Sequence, residues 1–110
     1  MNIFEKAAQV LMEGGHCKGE LADGEGRHCA MGALHMAEME KAWSVAPTYY
    51  ADVAASRAAD RLAERGELPP LNNDEFMGFA THPLARWNDA PERTGEDVIM
   101  LFKELGAERE

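Results

Sequence analysis

The strongest constraint on the fold is an apolar segment in the first half of the chain. Across residues 29–37 the only polar side chain is that of His35. A helix that is apolar on nearly every side is stable only where other elements surround it. We therefore predict a central helix over residues 29–42. Its small residues Gly32 and Ala33 would let neighbouring backbones approach closely.

Three other segments show the apolar spacing of amphipathic helices. They are residues 3–13, 47–65 and 95–105. Asn2 is suited to cap the first segment, and Pro47 to open the second. Thr94 and Asp97 have the spacing of a capping box at the start of the third. The glycines expected to end these helices are Gly14 with Gly15, Gly66, and Gly106.

The segment between the first two helices is rich in turn-forming residues. Asp23, Gly24 and Gly26 predict a short hairpin or an ordered loop centred on Gly24, within residues 16–28. Two isolated strands are marginal in water, so this element must pack on the helices.

The connections elsewhere are short. Residues 43–46 predict a link, residues 74–80 one helical turn, residues 82–87 a short helical piece, and residues 88–91 a turn. The expected fold is mainly α, a compact bundle of four to five helices that forms a single domain over residues 1–110.

The charge balance restricts the partners of this domain. Twenty acidic against eleven basic residues give a formal net charge of −9. Such a field repels phosphates and anionic lipid, so we expect no direct nucleic-acid or membrane binding. Arg57, Arg61 and Arg65 share one helix face, but Asp60 and Glu64 lie beside them. This pattern favours a solvated, salt-bridged face over a phosphate site.

The sequence predicts a cytoplasmic location. Glu5 and Lys6 interrupt the apolar character of the first twelve residues, which is not typical of a signal peptide. No stretch reaches the length of a membrane span. The two cysteines are therefore expected to be reduced thiols.

Three sequence blocks carry a resemblance to known proteins. They are Cys17-Lys-Gly, Cys29-Ala-Met-Gly-Ala-Leu, and Trp87-Asn-Asp-Ala-Pro-Glu-Arg-Thr. In this order they resemble a family of small actinobacterial and actinophage proteins classed as a domain of unknown function. The resemblance covers most of the chain and is weakest between Ser44 and Pro83. It implies a cytosolic bacterial or phage origin and brings no catalytic residue with it.

One hypothesis places a thiol nucleophile at Cys29. A helix N-terminus stabilises a thiolate, and Cys29 stands where the central helix begins. Cys29, His82 and Asn88 (or Asp89) follow the chain order of papain-like hydrolases, but such triads are recognised by geometry. The favoured alternative is that Cys29 is a small buried residue of the core.

A second hypothesis places a metal site at the loop. His16, Cys17, His28 and Cys29 are all of zinc-ligand type. Adjacent ligands on a strand point to opposite faces, which disfavours their convergence. Only a turn centred on Glu25 would bring the two cysteines to one face. The favoured alternative is that these are ordinary loop residues, so we expect no cofactor.

The third candidate is the block that contains Trp87, Asn88, Asp89 and Arg93. As a structural clasp, Trp87 would fill the core, Asn88 would fix the turn, and Arg93 would pair with Asp89. As a recognition loop, the same residues would bind a partner, since Trp and Arg are common interface anchors.

The methionines also allow either a structural role or a binding role. The chain has many methionines for its length, among them Met31, Met36, Met39, Met77 and Met100. Flexible thioethers either fill cores or line adaptable binding surfaces.

The leading functional hypothesis is a protein-binding module, for example a phage-encoded modulator of a host protein. The alternatives are a Cys29-dependent hydrolase or transferase, and a small zinc-stabilised module. A homodimer is also compatible with a loose apolar helix face.

Overall fold

The computed structural model describes residues 2–39, 47–68 and 82–108. Within these ranges the chain forms five helices, α1 (Ile3–Gly14), α2 (Ala30–Met39), α3 (Pro47–Glu64), α4 (Pro83–Asp89) and α5 (Gly95–Ala107). This arrangement confirms the predicted mainly α bundle. None of these helices is both long enough and apolar enough to cross a membrane.

Helix α2 lies at the centre of the bundle, as predicted. It packs against α1, α3 and α4. Ala30, Ala33, Leu34 and Ala37 are fully buried, because neighbours cover the helix on several sides. The predicted end at residue 42 and the link at residues 43–46 lie outside the described residues.

Helix α1 begins and ends at the residues that the sequence indicates. Asn2 Oδ1 accepts a hydrogen bond from the Glu5 N–H at 2.9 Å, and the Glu5 carboxylate accepts from the Asn2 N–H in return. Gly15 terminates the helix with a φ of 99°, a conformation that glycine adopts without strain. Helix α1 packs along α5 and α2 through a face that contains Phe4 and Leu11.

Helix α5 begins as predicted but does not end at Gly106. Thr94 and Asp97 form the expected capping box. The helix continues through Gly106, which is buried and accepts a hydrogen bond from Asn2 Nδ2 at 2.9 Å. A Cβ at this position would lie 2.7 Å from Glu5 Cγ. Gly106 therefore permits the close approach of α1 and α5, and the prediction that it stops the helix was wrong.

Arginines on α3 and directly after it form ion pairs with carboxylates of α5 and of its C-cap residue. Arg61 pairs with Glu104 and Glu108, and Arg65 pairs with Glu104. Arg61 Nε also lies 3.4 Å from Glu64 Oε1, three residues further along the same helix. The predicted salt-bridged face is present, and Glu104 and Glu108 supply carboxylates that the sequence did not indicate.

Helix α4 is longer than the sequence indicates. It begins at Pro83, where His82 Nδ1 accepts from the Leu84 N–H at 3.0 Å. It runs through Asp89, so Asn88 and Asp89 belong to the helix rather than to the turn predicted at residues 88–91. The turn predicted at residues 74–80 lies outside the described residues.

Candidate functional site

The segment between α1 and α2 is an ordered loop built around Asp23. Asp23 Oδ1 accepts hydrogen bonds from the N–H groups of Glu25 and Arg27, each at 2.9 Å. These hydrogen bonds stabilise the Asp23 carboxylate and hold its pKa below the ordinary value. The bond from the Arg27 backbone has the largest effect. The pairing here consists of isolated bridges, so the ordered-loop alternative is the one observed.

The turn of this loop is centred on Glu25, not on Gly24. Ala22 bridges His28 in antiparallel fashion, and the Cys29 N–H donates to the Leu21 carbonyl at 3.2 Å. Both pairs are symmetric about Glu25. The hydrogen bonds of the Asp23 side chain to the backbone shift the centre by one residue from the predicted position.

Asn88 joins this loop to two helices. Its side chain is fully buried. Its Oδ1 accepts from the Ala30 N–H at 2.9 Å and lies 2.7 Å from His16 Nε2. Its Nδ2 donates to the Cys17 carbonyl at 3.2 Å and to Asp89 Oδ1 at 2.9 Å. Because Nδ2 faces two acceptors, Oδ1 is the acceptor for His16, and His16 Nε2 carries the proton.

A second set of contacts holds the loop on the end of α4. Lys18 Nζ donates to the Ala90 carbonyl at 2.6 Å and to the Pro91 carbonyl at 3.3 Å. The Gly19 N–H donates to Asp89 Oδ1 at 3.0 Å. The three sequence blocks that carry the resemblance therefore meet at one junction.

Cys29 is placed at the start of α2 but is not activated there. It is 5% exposed, and its Sγ accepts from the Gly32 N–H at 3.4 Å. Burial raises the pKa of this thiol, and this effect outweighs the hydrogen bonds from Gly32 and neighbouring backbone. The histidine that pairs with Asn88 is His16, whereas His82 Nδ1 caps α4. The geometry thus differs from the Cys29–His82–Asn88 order of a papain-like site.

Three of the four candidate metal ligands, His16, Cys17 and Cys29, have other partners. Cys17 Sγ donates to the carbonyls of Glu20 and Arg27, both at 3.5 Å, and His16 binds Asn88. Burial, followed by the charge of Cys29, raises the pKa of Cys17 from 9.0 to about 11. Zinc requires the thiolate, which this environment disfavours. Across residues 2–39, 47–68 and 82–108, no three His, Cys, Asp or Glu side chains converge as metal ligands would.

Trp87 and Arg93 form a clasp at the other side of α4. Trp87 is 4% exposed, and its Nε1 donates to Glu67 Oε1 at 2.9 Å. The Arg93 guanidinium lies 4.2 Å from the centroid of the Trp87 ring, and Arg93 Nε donates to the Trp87 carbonyl at 3.1 Å. Arg93 approaches the carboxylates of Glu67 and Asp97, at 4.0 and 3.9 Å. The prediction that Arg93 pairs with Asp89 was therefore wrong, because Asp89 is bound by the loop.

The clasp forms one wall of an open groove beside α5, which we call the α5 groove. Its volume is about 520 Å³. It is lined by Arg65, Glu67, Trp87, Arg93, Asp97, Met100, Leu101, Lys103 and Glu104. Met100 is 69% exposed. The role of Glu67 could not be predicted, since no local pattern links it to Trp87 across 20 residues.

The methionines divide between the core and the surface. Met31 is 1% exposed and fills the core, whereas Met12, Met39 and Met100 are among the most exposed large apolar side chains in the described part of the chain. Met77 lies outside the described residues. The core-filling role expected for methionine is therefore present at Met31, and a binding role of the exposed methionines stays a prediction.

The fold and the junction define a small helical domain in which a central helix, an ordered loop and a Trp–Arg clasp are joined through Asn88. The chain belongs to the family of unknown function DUF6197, whose model matches residues 1–108. No curated protein and no solved structure matches the chain.

Proposed function

We propose that this protein is a protein-binding module and that it binds its partner through the α5 groove. The observation that carries the proposal is the exposed Met100 beside the Trp87–Arg93 wall of this groove. Methionine and arginine are enriched at protein interfaces, and a flexible thioether adapts to different partner surfaces.

The size of the groove suits a segment of a partner protein. Its volume of about 520 Å³ lies within the range of ligand-binding clefts. Arg65 pairs with Glu104, and Arg93 approaches Glu67 and Asp97, so these charges are largely compensated within the protein. The apolar surface around Met100 is then left for contact with an apolar side chain.

The partner that best fits the electrostatics is a basic protein. The formal net charge of −9 gives a negative field that accelerates the approach of a positively charged partner. We infer a segment with an apolar anchor residue seated at Met100 and basic residues on either side. The resemblance to phage proteins supports a host protein as the source of this segment.

The chemistry of the two thiols supports binding over nucleophilic catalysis. The pKa of Cys17 is about 11, and burial raises that of Cys29 as well. At neutral pH both are therefore held as neutral thiols, which are poor nucleophiles.

The proposal is tested with two matched surface variants, Met100→Glu and Val53→Glu. Val53 is 48% exposed on α3 and lies 12 residues before Arg65, about 18 Å along the helix, so it reports on a different surface. A partner is first captured from host extract with the natural protein and then purified, and its affinity for each variant is measured by calorimetry. We expect Met100→Glu to weaken binding by about tenfold or more, as loss of an interface anchor does, and Val53→Glu to leave it unchanged. Equal affinities of the two folded variants would overturn the proposal.

A further inference from the structure

A second cavity lies on the opposite side of α4, beside Cys29. Its volume is about 130 Å³. Its apolar walls are formed by Leu21, Met31 and Ala85, with the Cys29 thiol among them. Gly19 and two acidic residues, Glu20 and Asp89, complete the lining, and both acidic residues are exposed. We call this the Cys29 cavity.

Asp89 is held in a fixed orientation at this cavity. Its Oδ1 accepts from the Gly19 N–H at 3.0 Å and from Asn88 Nδ2 at 2.9 Å. Among the described residues, Asp89 Oδ2 takes part in no hydrogen bond or ion pair, and neither does the carboxylate of Glu20. Asp89 Oδ2 is therefore held in place and can still accept a hydrogen bond. Such preorganisation lowers the free-energy cost of binding a hydrogen-bond donor.

The electrostatic balance at the cavity favours a cation. The N-terminus of α2 contributes about half a positive charge, while Asp89 and Glu20 contribute two full negative charges. The nearby cation Lys18 is held by the carbonyls of Ala90 and Pro91. An anionic ligand would therefore be repelled, and a neutral ligand would form no ion pair with the two carboxylates.

We propose that the Cys29 cavity binds a primary alkylammonium group, with the alkyl stem against Leu21, Met31 and Ala85 and the ammonium at Asp89 Oδ2. A primary ammonium has three N–H donors for carboxylate oxygens. A quaternary ammonium is recognised mainly by aromatic rings, and the described lining contains none. The site is separate from the α5 groove, so it stands independently of the proposed function.

Free alkylamines and lysine side chains share this chemistry, and the experiment distinguishes them. The natural protein, labelled with ¹³C at the methionine methyl groups, is titrated with n-butylammonium chloride, sodium butyrate, n-butanol or N-acetyl-lysine methylamide. Met31 lines the cavity, whereas Met100 lies at the α5 groove and serves as an internal control.

We expect a saturable shift of the Met31 resonance with n-butylammonium and none with butyrate, while the Met100 resonance stays unchanged. A response to the lysine derivative of at least equal affinity would identify a protein side chain as the ligand, and a response to butylammonium alone would identify a free amine. An unchanged Met31 resonance, or equal responses to butylammonium, butyrate and butanol, would overturn the proposal.

Two variants test the contribution of the carboxylates. Glu20→Gln changes an exposed side chain and is expected to preserve the fold, and Asp89→Asn retains an Oδ1 acceptor for Gly19. Each is expected to weaken butylammonium binding about three- to fivefold, which is the effect of losing one partly exposed ion pair. Glu13→Gln, on the exposed end of α1, is the matched control and should change nothing. Unchanged affinity in both cavity variants would contradict the assigned role of the carboxylates.

Discussion

Asn88 Oδ1 lies 2.7 Å from His16 Nε2, although 72 residues separate the two in the chain. The same amide binds the backbone of Ala30 and of Cys17. A single buried side chain thus connects α4, the loop and the first turn of α2. Four hydrogen bonds to one amide therefore hold the loop and α2 on α4.

Asn88→Ala is expected to destabilise the protein by about 2–4 kcal/mol, because it leaves the buried Ala30 N–H without its acceptor and also removes the contacts to His16 and Cys17. Urea unfolding measures the change in the free energy of unfolding. Gln9→Ala, an exposed amide on α1, is the control and should change it by less than about 0.5 kcal/mol. A similarly small effect for Asn88→Ala would contradict the role given to the junction.

Gly32→Ala is expected to destabilise the protein, although alanine is the better helix former by about 1 kcal/mol. A Cβ on Gly32 would lie 1.9 Å from the Leu21 carbonyl oxygen, so the loop would have to move away from α2. We expect a net loss of about 2 kcal/mol or more in thermal or urea unfolding. Gly24→Ala is the control, since its Cβ would meet no atom within 4 Å. Equal stabilities of the two variants would show that the loop does not pack as described.

The thiol of Cys17 is expected to react slowly with alkylating reagents. A pKa of about 11 instead of 9.0 lowers the thiolate fraction at pH 8 about a hundredfold. Iodoacetamide labelling followed by intact mass gives the rate, and Cys17→Ser and Cys29→Ser variants assign it. A rate at or above that of a free cysteine at either position would contradict the packing role and revive the nucleophile hypothesis.

The same pKa shift predicts a loss of stability at alkaline pH. The Cys17 thiol ionises near pH 9.0 when unfolded and near pH 11 when folded, so the unfolded state loses its proton first. Its contribution to stability is complete below pH 9.0 and is lost as the pH rises to about 11. Melting temperatures between pH 8 and 11 should therefore fall more steeply for the natural protein than for Cys17→Ala. Parallel curves for the two proteins would contradict the shift.

The sequence predicted the parts of the fold that depend on local interactions. The capping residues Asn2 and Thr94 and the helix start at Pro47 are confirmed, because each acts within one helical turn. The central position of α2 is confirmed because an apolar helix has no other stable location.

The errors arise where contacts between distant segments decide the structure. Gly106 continues α5 because α1 lies against it, and Arg93 turns to Glu67 rather than Asp89 because the loop binds Asp89. The polar junction at Asn88 could not be predicted, since its partners are joined only by the tertiary fold. Trp87 and Asn88, which the sequence offered as binding residues, are buried, and the exposed Met100 was named only as one of several methionines.

The most direct test of the proposed binding function is the footprint of a purified partner on the methionine methyl groups. Met100 lies at the α5 groove, and Met39, 62% exposed at the end of α2, lies outside its described lining. We predict that a stoichiometric amount of partner shifts or broadens the Met100 resonance and leaves the Met39 resonance unchanged. A partner that binds while the Met100 resonance stays unchanged would show that the α5 groove is not the binding site.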